Sequence, residues 1–92
     1  MNTLHQHTVG LAVGATAAIL HAVWAVVVAL MPRVAQGLLN GNIVLHFLSV
    51  PVQIAPFTLG DAVMLVIVSF IVGYIVGCVF ARAYNWAAHR AR

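Results

Sequence analysis

Charge is nearly absent from this chain. Only 5% of its 92 residues are charged: four arginines, no lysine and a single acid, Asp61. Because a soluble domain carries about 25% charged residues, the composition excludes an ordinary water-soluble domain. Acid–base catalysis by two carboxylates is also excluded within one chain, since there is only one carboxylate side chain.

The sequence also lacks the usual catalytic and metal-binding motifs. The sequence has no nucleophile–base pair, no Gly-rich phosphate loop and no Cys/His zinc spacing, so we expect neither an enzyme nor a metal site. The one cysteine, Cys78, cannot form an intrachain disulfide, and its apolar surroundings favour a small buried hydrophobe. Four dispersed arginines do not form the basic patch that nucleic-acid binding requires.

Long apolar runs dominate what remains. Hydrophobic residues make up 64% of the chain. One run covers residues 9–31, interrupted only by Thr16 and His21, and another covers residues 62–81, interrupted only by Ser69. About 20 apolar residues suffice to cross a bilayer core of about 30 Å. The sequence therefore predicts an all-α transmembrane helical hairpin with two spans, in contact with the lipid bilayer.

The predicted boundaries make the chain a single membrane domain. We expect spans at about 8–31 and 59–82, an apolar interfacial connection at 32–58, and a cytoplasmic C-terminal end at 83–92. No Lys or Arg precedes the first run, and the run is too long for the apolar core of an ordinary secretory signal, so we interpret it as a retained span.

Each span carries a stripe of small residues at four-residue spacing. Such stripes let helix backbones approach closely. The predicted packing positions are Gly10, Gly14, Ala18 and Ala22 in the first span, and Ser69, Gly73, Gly77 and Ala81 in the second. The pattern does not distinguish pairing within one chain from pairing between chains. A symmetric antiparallel hairpin would place residue numbers adding to about 92 at one depth, and Gly14 beside Gly77.

His21 is the candidate functional residue inside the membrane. It lies near the middle of the first span and close to the small-residue stripe, so we expect it to face protein. Ionisable residues at this depth are costly and are functional hypotheses by default. Three interpretations remain open: a neutral imidazole bonded to Ser69 or a backbone carbonyl, a ring of histidines lining an oligomeric pore, or an axial ligand for haem or chlorin.

Local signals predict the helix ends. Thr3 and Gln6 have capping-box spacing at the start of the first helix, and Pro32 marks its end. In the connection we expect short helices at 34–39 and 43–48, separated by a turn at Asn40-Gly41. The segment around Pro51 and Pro56 is expected to be extended, and residues 43–57 are either interfacial or re-entrant.

The second helix has a defined start and an anchored end. Thr58 is the expected N-cap, and Asp61 lies in the first turn, where a carboxylate interacts favourably with the helix dipole. The expected interface anchors at the other end are Arg82, Tyr84, Trp86, Arg90 and Arg92. The positive-inside rule then places both termini in the cytoplasm.

The second half resembles a family of small, uncharacterised two-helix bacterial membrane proteins, some of which are called holin-like. The shared elements are Gly60, Phe70, Gly73, Gly77, Ala81 and Tyr84-Asn85. Gly14 and Trp24 match more loosely, and residues 32–56 match nothing in the family. The resemblance implies a glycine-packed hairpin in the bacterial inner membrane with a polar Tyr-Asn cap at its cytoplasmic end.

Three functions follow as hypotheses. The first is a protein that self-associates through its glycine stripes into a homo-oligomeric pore or channel. The second is a structural or accessory subunit of a larger membrane complex. The third is a helix pair that holds haem or another pigment.

Overall fold

The computed structural model describes residues 3–91, and this part of the chain contains three helices. They are α1 (Gln6–Leu30), α2 (Pro32–Leu45) and α3 (Leu59–Arg90), and these residues include no strand. The molecule measures 50 × 32 × 14 Å. α1 and α3 are each long and apolar enough to cross a membrane, and α3 continues about two and a half turns past Ala81, where the apolar run ends.

α1 and α3 pack antiparallel, with their glycines in contact. Gly10 lies against Gly77, and Gly14 lies against Gly73. The numbers of these pairs add to 87, so the expected pairing of Gly14 with Gly77 is wrong by about one helical turn. The symmetric estimate assumed that the ends of the hairpin set the register. The register is instead set by the positions at which glycines of the two helices allow their backbones to meet.

The start of α1 differs from the expected capping box. The N-cap is His5, and no side chain caps the helix there. The backbone of the preceding residue, Leu4, is instead held by Asn85 of α3, whose amide bonds both the N–H and the carbonyl oxygen. A long-range contact thus takes the place of the local cap.

The first half of the connection is one helix, where two short helices and a turn were expected. α2 begins with Pro32 at its first position, directly after the break at Met31, and runs through Asn40 and Gly41 without interruption. The low helix propensities of Asn40 and Gly41 did not break the helix, because helix propensity is only a weak determinant of structure. α2 ends in a Schellman-type arrangement, in which Leu48 N–H bonds Ile43 O and Phe47 has a positive φ of 60°.

The second half of the connection, residues 48–58, is non-helical and is pinned to α2 by Gln36. The Gln36 amide nitrogen donates to Val52 O at 2.8 Å and to Asn40 Oδ1 at 2.9 Å. Its amide oxygen accepts from Ile54 N–H at 2.8 Å. The side chain of Ala35, next to Gln36, is fully buried. One amide therefore fixes this non-helical segment alongside α2.

α3 starts with a side-chain cap. The Thr58 hydroxyl oxygen accepts a hydrogen bond from Asp61 N–H at 3.2 Å, and Asp61 is the acid of the first helical turn. The helix continues to Arg90, so its last two turns extend beyond the predicted span end at residue 82.

Candidate functional site

The glycines of α1 and α3 bring the two helix backbones into direct contact. A methyl group at Gly73 would lie 2.9 Å from Gly14 Cα, and one at Gly77 would lie 2.8 Å from Gly10 Cα and from Val9 O. A methyl at Gly14 would lie 2.8 Å from Phe70 O. These neighbours are backbone atoms that cannot move aside. The four glycines thus allow a backbone-to-backbone contact that no larger residue would permit.

The other predicted packing positions continue this contact. Ser69 is buried, and its hydroxyl donates to Leu65 O at 2.6 Å within α3. Ala81 is fully buried, and Ala18 is half-buried. Both stripes therefore lie on the faces that α1 and α3 turn towards each other.

A polar cluster closes the end of the hairpin near the N-terminus. Asn85 Oδ1 accepts from Leu4 N–H at 2.7 Å, and Asn85 Nδ2 donates to Leu4 O at 2.8 Å. His7 Nδ1 lies 2.7 Å from the Tyr74 hydroxyl, and the two rings meet edge to face. Cys78 Sγ lies 3.4 Å from Gln6 O. Side chains of α3 thus bond Leu4 and the first turn of α1 at several points.

Sequence reasoning did not identify most of this polar cluster. The Tyr-Asn element of the family resemblance included Asn85, but nothing in the pattern pairs His7 with Tyr74, which lies 67 residues away. Cys78 and Tyr74 flank Gly10: a methyl group there would lie 2.8 Å from the thiol sulfur and 2.9 Å from the Tyr74 ring. Their proximity follows from the glycine register, which the sequence did not specify.

His21 bonds a backbone carbonyl, which was one of the expected arrangements, but its side chain does not face the neighbouring helix. Its side chain is exposed on α1, and Nδ1 lies 2.8 Å from Ala17 O in the same helix. Because the numbers of facing residues add to 87, His21 lies level with Val66 of α3, and it does not bond Ser69. The imidazole therefore does not tie the two helices together, and Nε2 is the ring atom left for another partner.

The predicted interface anchors lie on the exposed surface of the last turns of α3. Arg82, Tyr84 and Trp86 are exposed, and the Arg90 guanidinium lies 5.7 Å from the centre of the Trp86 ring. Arg92 lies outside the described residues. Stacked cation–aromatic pairs of this kind suit the headgroup level of a membrane.

Two grooves separate α1 and α3 at the opposite end of the hairpin, on either side of Ala25 and Ala62. The larger has a volume of about 480 Å³, and its lining is almost entirely apolar. Its walls include Ala22, Ala29 and Leu30 of α1, and Val63, Val66 and Ile67 of α3. A further cavity of about 430 Å³ beside α2 shares Ala29 and Phe57 with the larger groove and includes Arg33 and Gln36.

Within residues 3–91, no cluster of three or more His, Cys, Asp or Glu side chains could hold a metal ion.

Comparison with known proteins identifies one family. The model of a 2TM family of unknown function (DUF5676) matches residues 5–87. No curated protein and no solved structure matches the chain. The match confirms the expectation of an uncharacterised two-helix membrane family, while the holin-like relationship stays a prediction. The expectation that residues 32–56 match nothing in the family is wrong, because the matched region includes the whole connection.

Proposed function

The chain belongs to this 2TM family of membrane proteins, and from that premise we propose that it is a transmembrane helical hairpin that serves as a structural or accessory subunit of a membrane assembly. The hairpin associates laterally with other membrane-embedded chains, either further copies or different subunits. α2 and the non-helical segment at residues 48–58 lie against one membrane surface, and the arginine-rich end of α3 lies at the other membrane surface.

The observation that carries this proposal is the internal use of the small-residue stripes. Gly10 and Gly14 are buried against Gly73 and Gly77 of the same chain. The stripes are therefore occupied, and any association uses the outer faces of α1 and α3, which carry large exposed apolar side chains. A packed, outwardly apolar hairpin is suited to contact with lipid and neighbouring helices.

The polar side chains inside the spans support an accessory role over a pore. Thr16 donates to Ala12 O, Ser69 donates to Leu65 O, and His21 Nδ1 lies beside Ala17 O. Each of the three bonds the carbonyl one turn earlier in its own helix, which satisfies part of its hydrogen-bonding capacity without water. A conducting pore needs a polar or wettable lining, and these three residues form no continuous polar stripe.

Charge asymmetry supports the orientation. Arg82 and Arg90 lie at the end of the hairpin that holds both termini, whereas Arg33 alone lies at the other end. By the positive-inside rule, the termini are cytoplasmic and α2 is on the outer side of the bacterial inner membrane.

Subunit counting combined with flux separates the accessory role from the pore. The full chain is reconstituted in lipid nanodiscs for native mass spectrometry and in liposomes for ion flux. A monomer or dimer without flux supports the proposal. A closed ring of four or more copies with flux that the His21→Ala variant alters contradicts it in favour of the pore. An absorption spectrum of the same sample tests the third hypothesis, since a pigment held by His21 would absorb visible light.

Photocrosslinking then tests the lateral contact. A photoreactive residue replaces Leu20 on the outer face of α1, and in a matched variant it replaces Val72 on the outer face of α3; both positions are exposed. A crosslink of one defined mass from one face, absent from the other, is expected for a specific subunit contact. Equal crosslinking of both faces to lipid alone would contradict it.

A further inference from the structure

We propose that the groove between the C-terminal half of α1 and the N-terminal half of α3 binds one anionic phospholipid, with an acyl chain in the groove and the phosphate at Arg33. The larger groove and the cavity beside α2 share Ala29 and Phe57. They form one continuous surface that is apolar along the helices and basic at its end.

The depth of this surface matches one membrane leaflet. The groove extends along α1 from Leu30 to Ala22, which is about 12 Å at the rise of an α-helix. Half of a bilayer core is about 15 Å. α1 ends at Leu30 and α2 starts at Pro32, so Arg33 lies where the helix leaves the apolar core. An acyl chain in the groove would therefore have its headgroup level with Arg33.

Arg33 supplies the charge that selects the headgroup. The cavity beside α2 contains two polar side chains, Arg33 and Gln36. The Gln36 amide already bonds Val52, Asn40 and Ile54, whereas the Arg33 guanidinium offers donors suited to a phosphate. Asp61, the only acid, lines neither the larger groove nor the cavity beside α2; it lines the smaller groove, which adjoins both at Phe57. The local charge therefore favours a net negative headgroup over a zwitterionic one.

Native mass spectrometry with defined lipids tests the site. The full chain is released from nanodiscs made of equal parts phosphatidylglycerol and phosphatidylcholine, and the retained lipids are counted. We expect one retained phosphatidylglycerol per chain. Arg33→Gln should lower the retained fraction about ten-fold, since a charge-assisted phosphate contact is lost. Arg82→Gln, at the opposite end of the hairpin, is the matched control and should retain the lipid.

A second pair of variants tests the groove itself. Ala29→Phe fills the groove from an exposed position, and Ala15→Phe places the same ring on an exposed position of α1 outside it. We expect Ala29→Phe to lose the lipid and Ala15→Phe to keep it, with unchanged helical circular dichroism in both. The proposal is overturned by a wild-type chain that retains no lipid, by equal retention of phosphatidylcholine, or by Arg33→Gln or Ala29→Phe behaving as its control does.

Discussion

Gly14 and Gly73 touch through their backbones. A methyl group on Gly73 would lie 2.9 Å from Gly14 Cα, 3.0 Å from Val13 O and 3.0 Å from the Ala17 methyl. No rotamer change relieves contacts with a helical backbone, so this pair sets the distance between α1 and α3. The same pair, with Gly10 and Gly77, fixes which residues of the two helices meet.

Adding one methyl group at this contact should destabilise the hairpin. We expect Gly14→Ala and Gly73→Ala each to lower the free energy of unfolding by about 1–3 kcal/mol, the usual cost of overpacking. Gly10→Ala should cost less, because its close neighbours are the Cys78 sulfur and the Tyr74 ring, which are side-chain atoms. Equilibrium unfolding in mixed micelles, followed by circular dichroism, measures these differences.

Gly37 is the matched control for the glycine contact. It lies inside α2, and a methyl group there would meet nothing within 4 Å. Because alanine is favoured over glycine in a helix by about 1 kcal/mol, Gly37→Ala should be neutral or stabilising. If Gly37→Ala and Gly73→Ala had the same effect, helix propensity would account for both and the close contact would not.

The Asn85 amide should be essential for fixing the chain start against α3. Asn85→Ala removes both hydrogen bonds to the Leu4 backbone, and we expect a loss of about 1–2 kcal/mol. If the bond is lost locally, the rate of hydrogen exchange at the Leu4 amide should rise by the factor that corresponds to this loss of free energy. Asn42→Ala is the control, because the Asn42 side chain bonds only Leu38 O in its own helix. Unchanged exchange at Leu4 in the Asn85 variant would contradict this role.

His21 should contribute little to the stability of an isolated hairpin. Its ring is exposed and its bond to Ala17 O stays within α1, so we expect His21→Ala to change the free energy of unfolding by less than about 0.5 kcal/mol. Mixed-micelle unfolding at low protein concentration checks this. A much larger loss that grows with protein concentration would indicate that His21 is buried between copies of the chain.

The sequence predicted the long helices because their signals are local. Hydropathy sums over each window and needs no knowledge of partners, so the two apolar helices were predictable, except that α3 continues past the predicted span end at residue 82 to Arg90. The break at Pro32 follows from the steric restriction on the residue before a proline. The small-residue stripes were readable for the same reason: a four-residue period places these residues on one helix face.

Register and long-range polar contacts could not be predicted in the same way. Two glycine stripes at four-residue spacing fit together in several registers that differ by one turn, and the choice depends on all facing side chains together. The bonds of Asn85 to Leu4 and of His7 to Tyr74 depend on that choice. Gln36 shows the same limit, because its partners Val52 and Ile54 lie 16 and 18 residues further along the chain.

Gln36 should hold the non-helical segment, residues 48–58, against α2. Gln36→Glu keeps an oxygen that accepts from Ile54 N–H but removes the donor to Val52 O and Asn40. We expect this variant to leave α1 and α3 packed while residues 49–55 become several-fold more susceptible to protease. Gln53→Glu, an exposed position in the same segment, is the control for added charge. Equal protection in the two variants would contradict the pinning role.

Phe47 combines an unfavourable backbone conformation with almost complete exposure. Its φ is 60° and its side chain is 98% exposed. A left-handed conformation costs a non-glycine residue about 1–2 kcal/mol, and at this exposure no side-chain contact offsets it. An outlier of this kind motivates a functional hypothesis for the residue, and an exposed ring at the end of α2 is suited to insertion into a membrane interface.

Phe47→Gly should therefore have opposite effects in detergent and in lipid. In detergent, removing the strain should raise the stability of α2 by about 1 kcal/mol. In bilayers, the variant should lose the quenching that lipid-bound bromine causes in a fluorophore attached at Leu45. Leu48→Gly is the matched control: it removes an exposed apolar side chain at a neighbouring position without a positive φ, so it should not stabilise α2 in either medium. A stabilising effect of both variants, or unchanged quenching in Phe47→Gly, would contradict the anchoring role of Phe47.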